Sequence, residues 1–139
     1  MKMENLNGIE QEIRRKKNYI EIQERNITKH NSYIERYKSE IEEIDKCKTL
    51  KDLRDYNNSY AYNWEKYLCY EISEWGLDDI YEYDTFEKLK DSAKWYYIMQ
   101  IENSKKEIRN SNELIIKIKE DIHKLKKIFI DTLDEIYAE

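Results

Sequence analysis

A strict seven-residue repeat of isoleucine constrains the fold of this chain more than any other feature. It occurs in two blocks, one near each end of the 139 residues. The a positions of the repeat are Ile13, Ile20, Ile27, Ile34 and Ile41 in the first block, and Ile101, Ile108, Ile115, Ile122, Phe129 and Ile136 in the second. Side chains seven residues apart lie on one face of an α-helix, so the repeat predicts two long helices with coiled-coil seams.

The companion d positions are weak, and this weakness predicts how the two helices are oriented. They are Ile9, Lys16, Gln23, His30, Tyr37 and Ile44 in the first block, and Tyr97, Ser104, Ser111, Ile118, Leu125 and Thr132 in the second. A parallel pair would stack like positions, and each buried polar group without a partner costs about 1–3 kcal/mol. An antiparallel pair places a opposite d, so every layer keeps a large apolar side chain. We therefore expect an antiparallel coiled-coil hairpin.

The register of this hairpin is less constrained than its orientation. If the residue numbers in each layer sum to 145, Lys16 faces Phe129 and His30 faces Ile115. Registers displaced by seven residues also keep an apolar side chain in every layer, so they stay open.

Composition supports an all-α fold. The chain contains no proline and only two glycines, the residues that form most tight turns. Its 40% of charged residues and mean hydropathy of −1.04 suit long solvated helices. We predict one domain, 1–139, with a first long helix over 9–48, a helical head over 49–92 and a second long helix over 93–138.

Aromatic residues replace the heptads in the head. Of the 18 aromatic residues, 13 lie between Cys47 and Tyr97. A stripe at helical spacing, Tyr60, Trp64 and Tyr67, is more typical of a core than of an interface. Tyrosines off that stripe predict some aromatic surface, which is typical of binding interfaces.

Capping signals divide the head into helices. Thr49 followed by Asp52 predicts one helix start. Asn57-Asn58-Ser59 predicts a turn that opens a further helix ending at Gly76. Asp84-Thr85 predicts the restart of the last helix.

Acidic residues are also concentrated in the head. Positions 52–91 contain 11 acidic and 4 basic residues, with tryptophan and tyrosine interleaved in the densest part. The residues that we expect to contact a partner are Glu71, Glu74, Trp75, Asp78, Asp79, Tyr81, Glu82, Tyr83 and Asp84. Such a run is usually a solvated face, but acidic and aromatic side chains together also suit a basic surface on a protein partner.

The last helix has apolar residues outside its seam. They are Leu114, Ile116, Ile128, Ile130 and Leu133. We expect these residues to form a second seam that joins two copies in a four-helix bundle. Packing on the head or partial exposure is the open alternative.

No catalytic signature occurs in the sequence. Two glycines cannot form a phosphate-binding loop, and His30 and His123 lack ligand-like spacing to Cys47 and Cys69. We therefore expect no enzymatic activity, no cofactor and no metal site. Without a run of 18 apolar residues we expect no membrane span, and we place the chain in the cytoplasm with reduced thiols.

The resulting hypothesis is a non-enzymatic binding protein whose acidic head occupies a nucleic-acid-binding surface of its partner. A small inhibitor encoded by a phage or mobile element, directed at a nuclease or CRISPR-type defence effector in the host cytoplasm, is of this type. One alternative is a structural or scaffolding coiled coil. Another is a nucleic-acid binder that uses the eight basic residues between Lys105 and Lys127, which the net charge of −5 disfavours.

Overall fold

The computed structural model describes residues 2–59 and 83–138 of the chain. These ranges contain three α-helices and no strand: α1 (Lys2–Asp45), α2 (Leu50–Ser59) and α3 (Tyr83–Ala138). The two long helices, α1 and α3, pack against each other as a hairpin, which confirms the all-α fold. Neither they nor α2 contain a stretch long and apolar enough to cross a membrane.

The helices belong to two compact units. Unit 1 consists of Met1–Asn31 and Lys105–Glu139, and unit 2 consists of Ser32–Ser104. Each unit therefore contains part of α1 and part of α3, and α2 belongs to unit 2.

Polar contacts in unit 1 establish how α1 and α3 pair. Lys16 Nζ lies 3.7 Å from Asp121 Oδ2. The Ser111 hydroxyl donates to Gln23 Oε1 and accepts from Asn26 Nδ2, both at 2.9 Å. The residue numbers of these pairs sum to 137, 134 and 137, so a higher number on α1 meets a lower number on α3. The helices of unit 1 are antiparallel, as the weak d positions predicted.

The predicted register, in which the residue numbers of each layer sum to 145, was wrong. In the structure the two helices of unit 1 are displaced from it by one heptad. Lys16 lies at the level of Asp121 instead of Phe129. The heptads allowed both registers, whereas the hydrogen bonds of Ser111 exist in only one. Ser111 is 2% exposed, so its hydroxyl would lose these partners without gaining water in a displaced register.

Unit 1 has a narrow core. Its buried apolar side chains, among the described residues, are Leu6, Ile115, Ile118 and Ile122. The last three occupy a and d positions, so two helices alone bury one stripe of side chains each.

Unit 2 has a deeper core because all three helices contribute to it. The buried cluster consists of Ile44, Cys47, Leu53, Tyr56, Ala93 and Tyr97, with Tyr37, Ile41, Phe86 and Tyr96 packed against it. α2 contributes Leu53 and Tyr56 to this cluster. Ile44 and Leu53 are fully buried as a result.

Two lysines of α3 hold the end of α1. Lys90 Nζ donates to the backbone carbonyls of Asp45 and Cys47 at 3.1 and 3.2 Å. Lys94 Nζ lies 2.8 Å from the Asp45 carboxylate. The last turn of α1 contains no basic residue of its own, so α3 supplies the cations that its C-terminal carbonyls favour.

The start of α2 is the capping box that the sequence predicted. Thr49 Oγ1 accepts from the Asp52 amide at 3.1 Å, while Asp52 Oδ2 accepts from the amides of Lys48 and Thr49 at 3.0 and 3.2 Å. The hydrogen bond from the Lys48 amide is the main reason that the pKa of Asp52 is lowered. These bonds satisfy the free amides of the first turn.

The end of α2 corrects one prediction. The turn expected at Asn57-Asn58-Ser59 was wrong, because α2 continues through these residues to Ser59. Leu53 and Tyr56 hold one face of α2 against the core, and this packing outweighs the local preference of asparagine for turns. The further helix expected to end at Gly76 lies outside the described residues.

The bounds of the long helices also differ from the expected ones. α1 begins at Lys2 rather than at residue 9 and ends at Asp45 rather than at 48. α3 begins at Tyr83, beside the restart predicted at Asp84-Thr85 and inside the range assigned to the head.

Candidate interaction surfaces

Most of the residues expected to contact a partner lie outside the described part of the chain. These are Glu71, Glu74, Trp75, Asp78, Asp79, Tyr81 and Glu82. Tyr83 and Asp84 are the first two residues of α3. The acidic site therefore stays a prediction from sequence.

Unit 2 carries an apolar surface that was not among the sites expected from the sequence. It is formed by three exposed side chains of α3, Trp95, Ile98 and Met99, which we call the Trp95 patch. Trp95 is 62% exposed. The three residues are spaced by three and four, so they share one face of the helix.

The burial of its neighbours explains why Trp95 faces outward. Ala93 and Tyr97 belong to the core of unit 2 and lie two residues before and after Trp95. Two residues turn an α-helix by about 200°, so a core position at 93 and 97 places position 95 on the opposite side. The heptad of the sequence already places Tyr97 in the seam and Trp95 at the outward b position, and the structure shows that α2 does not cover this face.

Tyrosine hydroxyls and rings hold the buried side of α3 in place. Tyr56 donates to Glu40 Oε2 at 2.5 Å, and its hydroxyl lies 3.2 Å from that of Tyr97. Burial, and then the hydrogen bond to Glu40, raises the pKa of Tyr56, which stays protonated. The Tyr97 ring lies 5.9 Å from the Tyr37 ring and 5.3 Å from the Tyr96 ring, between centroids. α3 therefore carries the Trp95 patch on its exposed face, while its opposite face is held in the core of unit 2.

Acidic residues flank the Trp95 patch on α3. Asp91 lies one turn before Trp95, Glu102 lies one turn after Ile98, and both are exposed. Lys88 is a basic residue on the same side, one turn before Asp91. An aromatic and aliphatic centre with a polar rim is the usual anatomy of a protein interface, and an acidic rim favours a basic partner.

The five apolar residues expected to form a second seam fall on two sides of α3 in unit 1. Leu114 and Ile128 occupy position g of the heptad, whereas Ile116 and Ile130 occupy position b. Leu114 and Ile116 are two residues apart, so they point in nearly opposite directions. All four are exposed, and Leu133, at position e on the side of Ile116, is half-buried. One flat seam cannot include all five.

The described His, Cys, Asp and Glu side chains do not form a metal site. Within 2–59 and 83–138, no three side chains of His, Cys, Asp or Glu are placed to hold a metal ion. Cys47 is a buried free thiol whose pKa is raised, chiefly by burial. A shallow groove lined by Ile116, Lys119, Glu120, His123 and Lys124 lies on α3.

Comparisons of the chain with protein-family models, with curated proteins and with solved structures find no match. The functional argument therefore rests on the residues of this chain.

Proposed function

We propose that this protein is a non-enzymatic binding protein that occupies a basic surface on a protein partner. The observation that carries the proposal is the Trp95 patch, because exposed tryptophan with aliphatic neighbours is typical of the residues that dominate binding energy. Burying such side chains in an interface removes apolar surface from water, which favours association.

Charge supports the choice of a basic partner. Asp91 and Glu102 flank the Trp95 patch, and positions 52–91 carry 11 acidic against 4 basic residues. Surfaces that bind nucleic acid are basic, so a nuclease or another nucleic-acid-handling protein is a suitable partner. An inhibitor that mimics nucleic acid needs many acidic groups, and the sequence from Glu71 to Asp84 is rich in them. We place this activity in the cytoplasm.

The anchoring of unit 2 is consistent with this role. α2 and α3 flank residues 60–82 in the chain, and Leu53, Tyr56 and Tyr97 hold both helices in one core. A pre-organised binding surface loses less entropy on association than a loose one does.

The test begins with capture of a partner by the full-length tagged chain from a lysate of its natural host. The captured protein is purified, and its Kd is measured for the wild type, for Trp95→Ala and for Ile130→Ala as the matched control. Ile130 is exposed like Trp95 but lies in unit 1. We expect Trp95→Ala to weaken binding at least about 30-fold, the loss typical of a hot spot, and Ile130→Ala to leave it unchanged.

A second arm tests the charge. Replacing Asp78, Asp79, Glu82 and Asp84 with serine should weaken binding and flatten its dependence on salt, and a DNA duplex should compete with the wild type. Wild-type affinity in both Trp95→Ala and the serine variant would refute the proposal. A chain that itself binds DNA or RNA at about 50 mM salt would instead be the nucleic-acid binder, and one that forms only large assemblies would be the scaffold.

A further inference from the structure

Two lines of residues run along one side of unit 1, one on each long helix. They occupy position c of α1 and position g of α3, where a heptad repeats every seven residues. The line on α1 is Gly8, Arg15, Ile22 and Lys29, and the line on α3 is Glu107, Leu114, Asp121 and Ile128. Both lines lie on the side of the hairpin where Asp121 contacts Lys16.

These lines match each other when α1 of one copy packs on α3 of another. Read in opposite directions, the pairs are Gly8 with Ile128, Arg15 with Asp121, Ile22 with Leu114, and Lys29 with Glu107. They join a glycine to a large apolar side chain, two basic residues to two acidic ones, and two apolar residues to each other. No pair brings like charges together.

A second pair of lines on the same side of unit 1 matches in the same way. They occupy position g of α1 and position c of α3, and the pairs are Glu12 with Lys124, Tyr19 with Lys117, and Asn26 with Asn110. All seven pairs have residue numbers that sum to 136. A displacement of one heptad would place Ile22 against Asp121 or Glu107 instead of Leu114.

The geometry of the hairpin selects the same register. Within one copy, the contacts between α1 and α3 have sums of 134 and 137. A two-fold axis parallel to the helices brings α1 of one copy against α3 of the other without changing levels along the bundle. The pairing that sums to 136 is therefore the pairing that two-fold symmetry permits, and it occurs twice in a closed dimer.

Gly8 supports the same arrangement. Glycine within a helix is less favourable than alanine by about 1 kcal/mol, and Gly8 lies inside α1. In the described part of the chain, nothing beyond the helix's own backbone lies within 4 Å of the position that a Cβ would occupy at Gly8. Packing within one copy therefore does not require glycine here, and Ile128 of a second copy would use the space in the pairing above.

Several residues of this side keep exposed surface in one copy. Tyr19, Ile22, Leu114 and Ile128 are all exposed, and Ile22 is 53% exposed. Arg15 lies 2.9 Å from Glu12 and is 75% exposed at its side chain, so it keeps surface for a further acidic neighbour. Asp121 is likewise 52% exposed beside Lys16.

We propose that two copies of this chain associate through the side of unit 1 that carries Ile22 and Leu114, about a two-fold axis parallel to α1 and α3, and so form a four-helix bundle. The second copy covers the exposed apolar side chains on this side of unit 1, whereas Ile116 and Ile130 on the other side of α3 stay exposed. This proposal does not depend on the Trp95 patch, which lies in unit 2.

The first experiment measures the molar mass of the full-length chain by sedimentation and light scattering across a concentration series. We expect a dimer for the wild type, and Ile22→Lys and Leu114→Lys should raise its dissociation constant at least about 100-fold, because each places two lysines in an apolar layer. Ile116→Lys and Ile130→Lys, at exposed positions on the other side of α3, are the matched controls and should remain dimeric. Circular dichroism checks that each variant stays helical.

A charge exchange then tests the pairing itself. Arg15→Glu should weaken the dimer because it faces Asp121 with a second negative charge, and adding Asp121→Arg should restore it. Asp121 lies at the level of Arg15 within one copy as well, so the two single variants are also mixed. Arg15→Glu and Asp121→Arg should dimerise with each other, because only pairs between the two copies then join opposite charges.

Three results would overturn the proposal. The first is a wild type that stays monomeric throughout a concentration series that reaches 100 times the highest protein concentration used in the Kd measurements above. The second is a dimer that Ile116→Lys or Ile130→Lys dissociates while Ile22→Lys does not, which assigns the interface to the other side of α3. The third is failure of Asp121→Arg to rescue Arg15→Glu.

Discussion

Units 1 and 2 differ in how completely one copy of the chain buries its apolar side chains. Among the described residues of unit 2, eight apolar side chains are buried and three large ones are exposed. In unit 1 the proportion is reversed, with four buried and eight exposed. The difference arises because α2 adds a third helix to unit 2, whereas unit 1 has only two helices, and each buries a single stripe.

The same heptad pattern can therefore leave few or many large apolar side chains exposed in one copy of the chain. In unit 2, Leu53 and Tyr56 of α2 pack into the core, and the large apolar side chains left exposed among the described residues are those of the Trp95 patch. In unit 1, the exposed apolar residues run along the helices in lines. A compact patch suits a contact with a different protein. Complementary lines of residues on α1 and α3 suit a contact with a second copy of the chain.

The largest expected effect concerns the core of unit 2. Leu53→Ala should lower the free energy of unfolding by about 2–5 kcal/mol, because Leu53 is fully buried and its loss leaves a cavity between α2 and the hairpin. Urea titration followed by circular dichroism measures this loss, with Ile130→Ala as the exposed control. Alkylation of Cys47, located by mass spectrometry, should accelerate in Leu53→Ala alone. Equal losses in the two variants would abolish the contrast between the units.

The next effect concerns the polar centre of unit 1. Ser111→Ala should lower the free energy of unfolding by about 1–2 kcal/mol, because Gln23 and Asn26 lose the hydroxyl that both contact in a partly buried place. Asn112→Ala, the exposed neighbouring position, serves as control in the same urea titration. If Ser111→Ala were as stable as the wild type, contacts other than these hydrogen bonds would set the register.

The smallest effect concerns the start of α2. The pKa of Asp52 is lowered in the fold, chiefly by the hydrogen bond from the Lys48 amide, so its charge stabilises the folded chain above the unfolded pKa of about 3.9. This stabilisation is lost as the pH falls through the lower folded pKa. Asp52→Asn should therefore be less stable than the wild type near pH 7, and the difference should shrink below about pH 4. Thermal melts across this range measure it, and a difference independent of pH would exclude a role for the charge.

Part of the candidate site was within reach of the sequence, and part was not. The spacing of Trp95, Ile98 and Met99 marks one helical face, yet a face of this kind is equally typical of a core. The heptad turns this face away from the seam at Tyr97 and Ile101, but only the structure shows that α2 packs elsewhere and leaves the face exposed. For the second seam expected on α3, the sequence was sufficient. Leu114 and Ile116 are both exposed, but they are two residues apart, so the geometry of the helix alone places them on different sides.

The sequence by itself determined the helices, their antiparallel pairing and the capping box at Thr49 and Asp52. These follow from periodicity and from contacts between residues three or four apart, which are the same wherever the helix lies in space. Only the tertiary structure decided the register, the continuation of α2 through Asn57, and the exposure of the face of α3 that carries Trp95. A heptad pattern is unchanged by a shift of seven residues, so only contacts between distant residues, such as Ser111 with Gln23 and Asn26, can distinguish one register from the next.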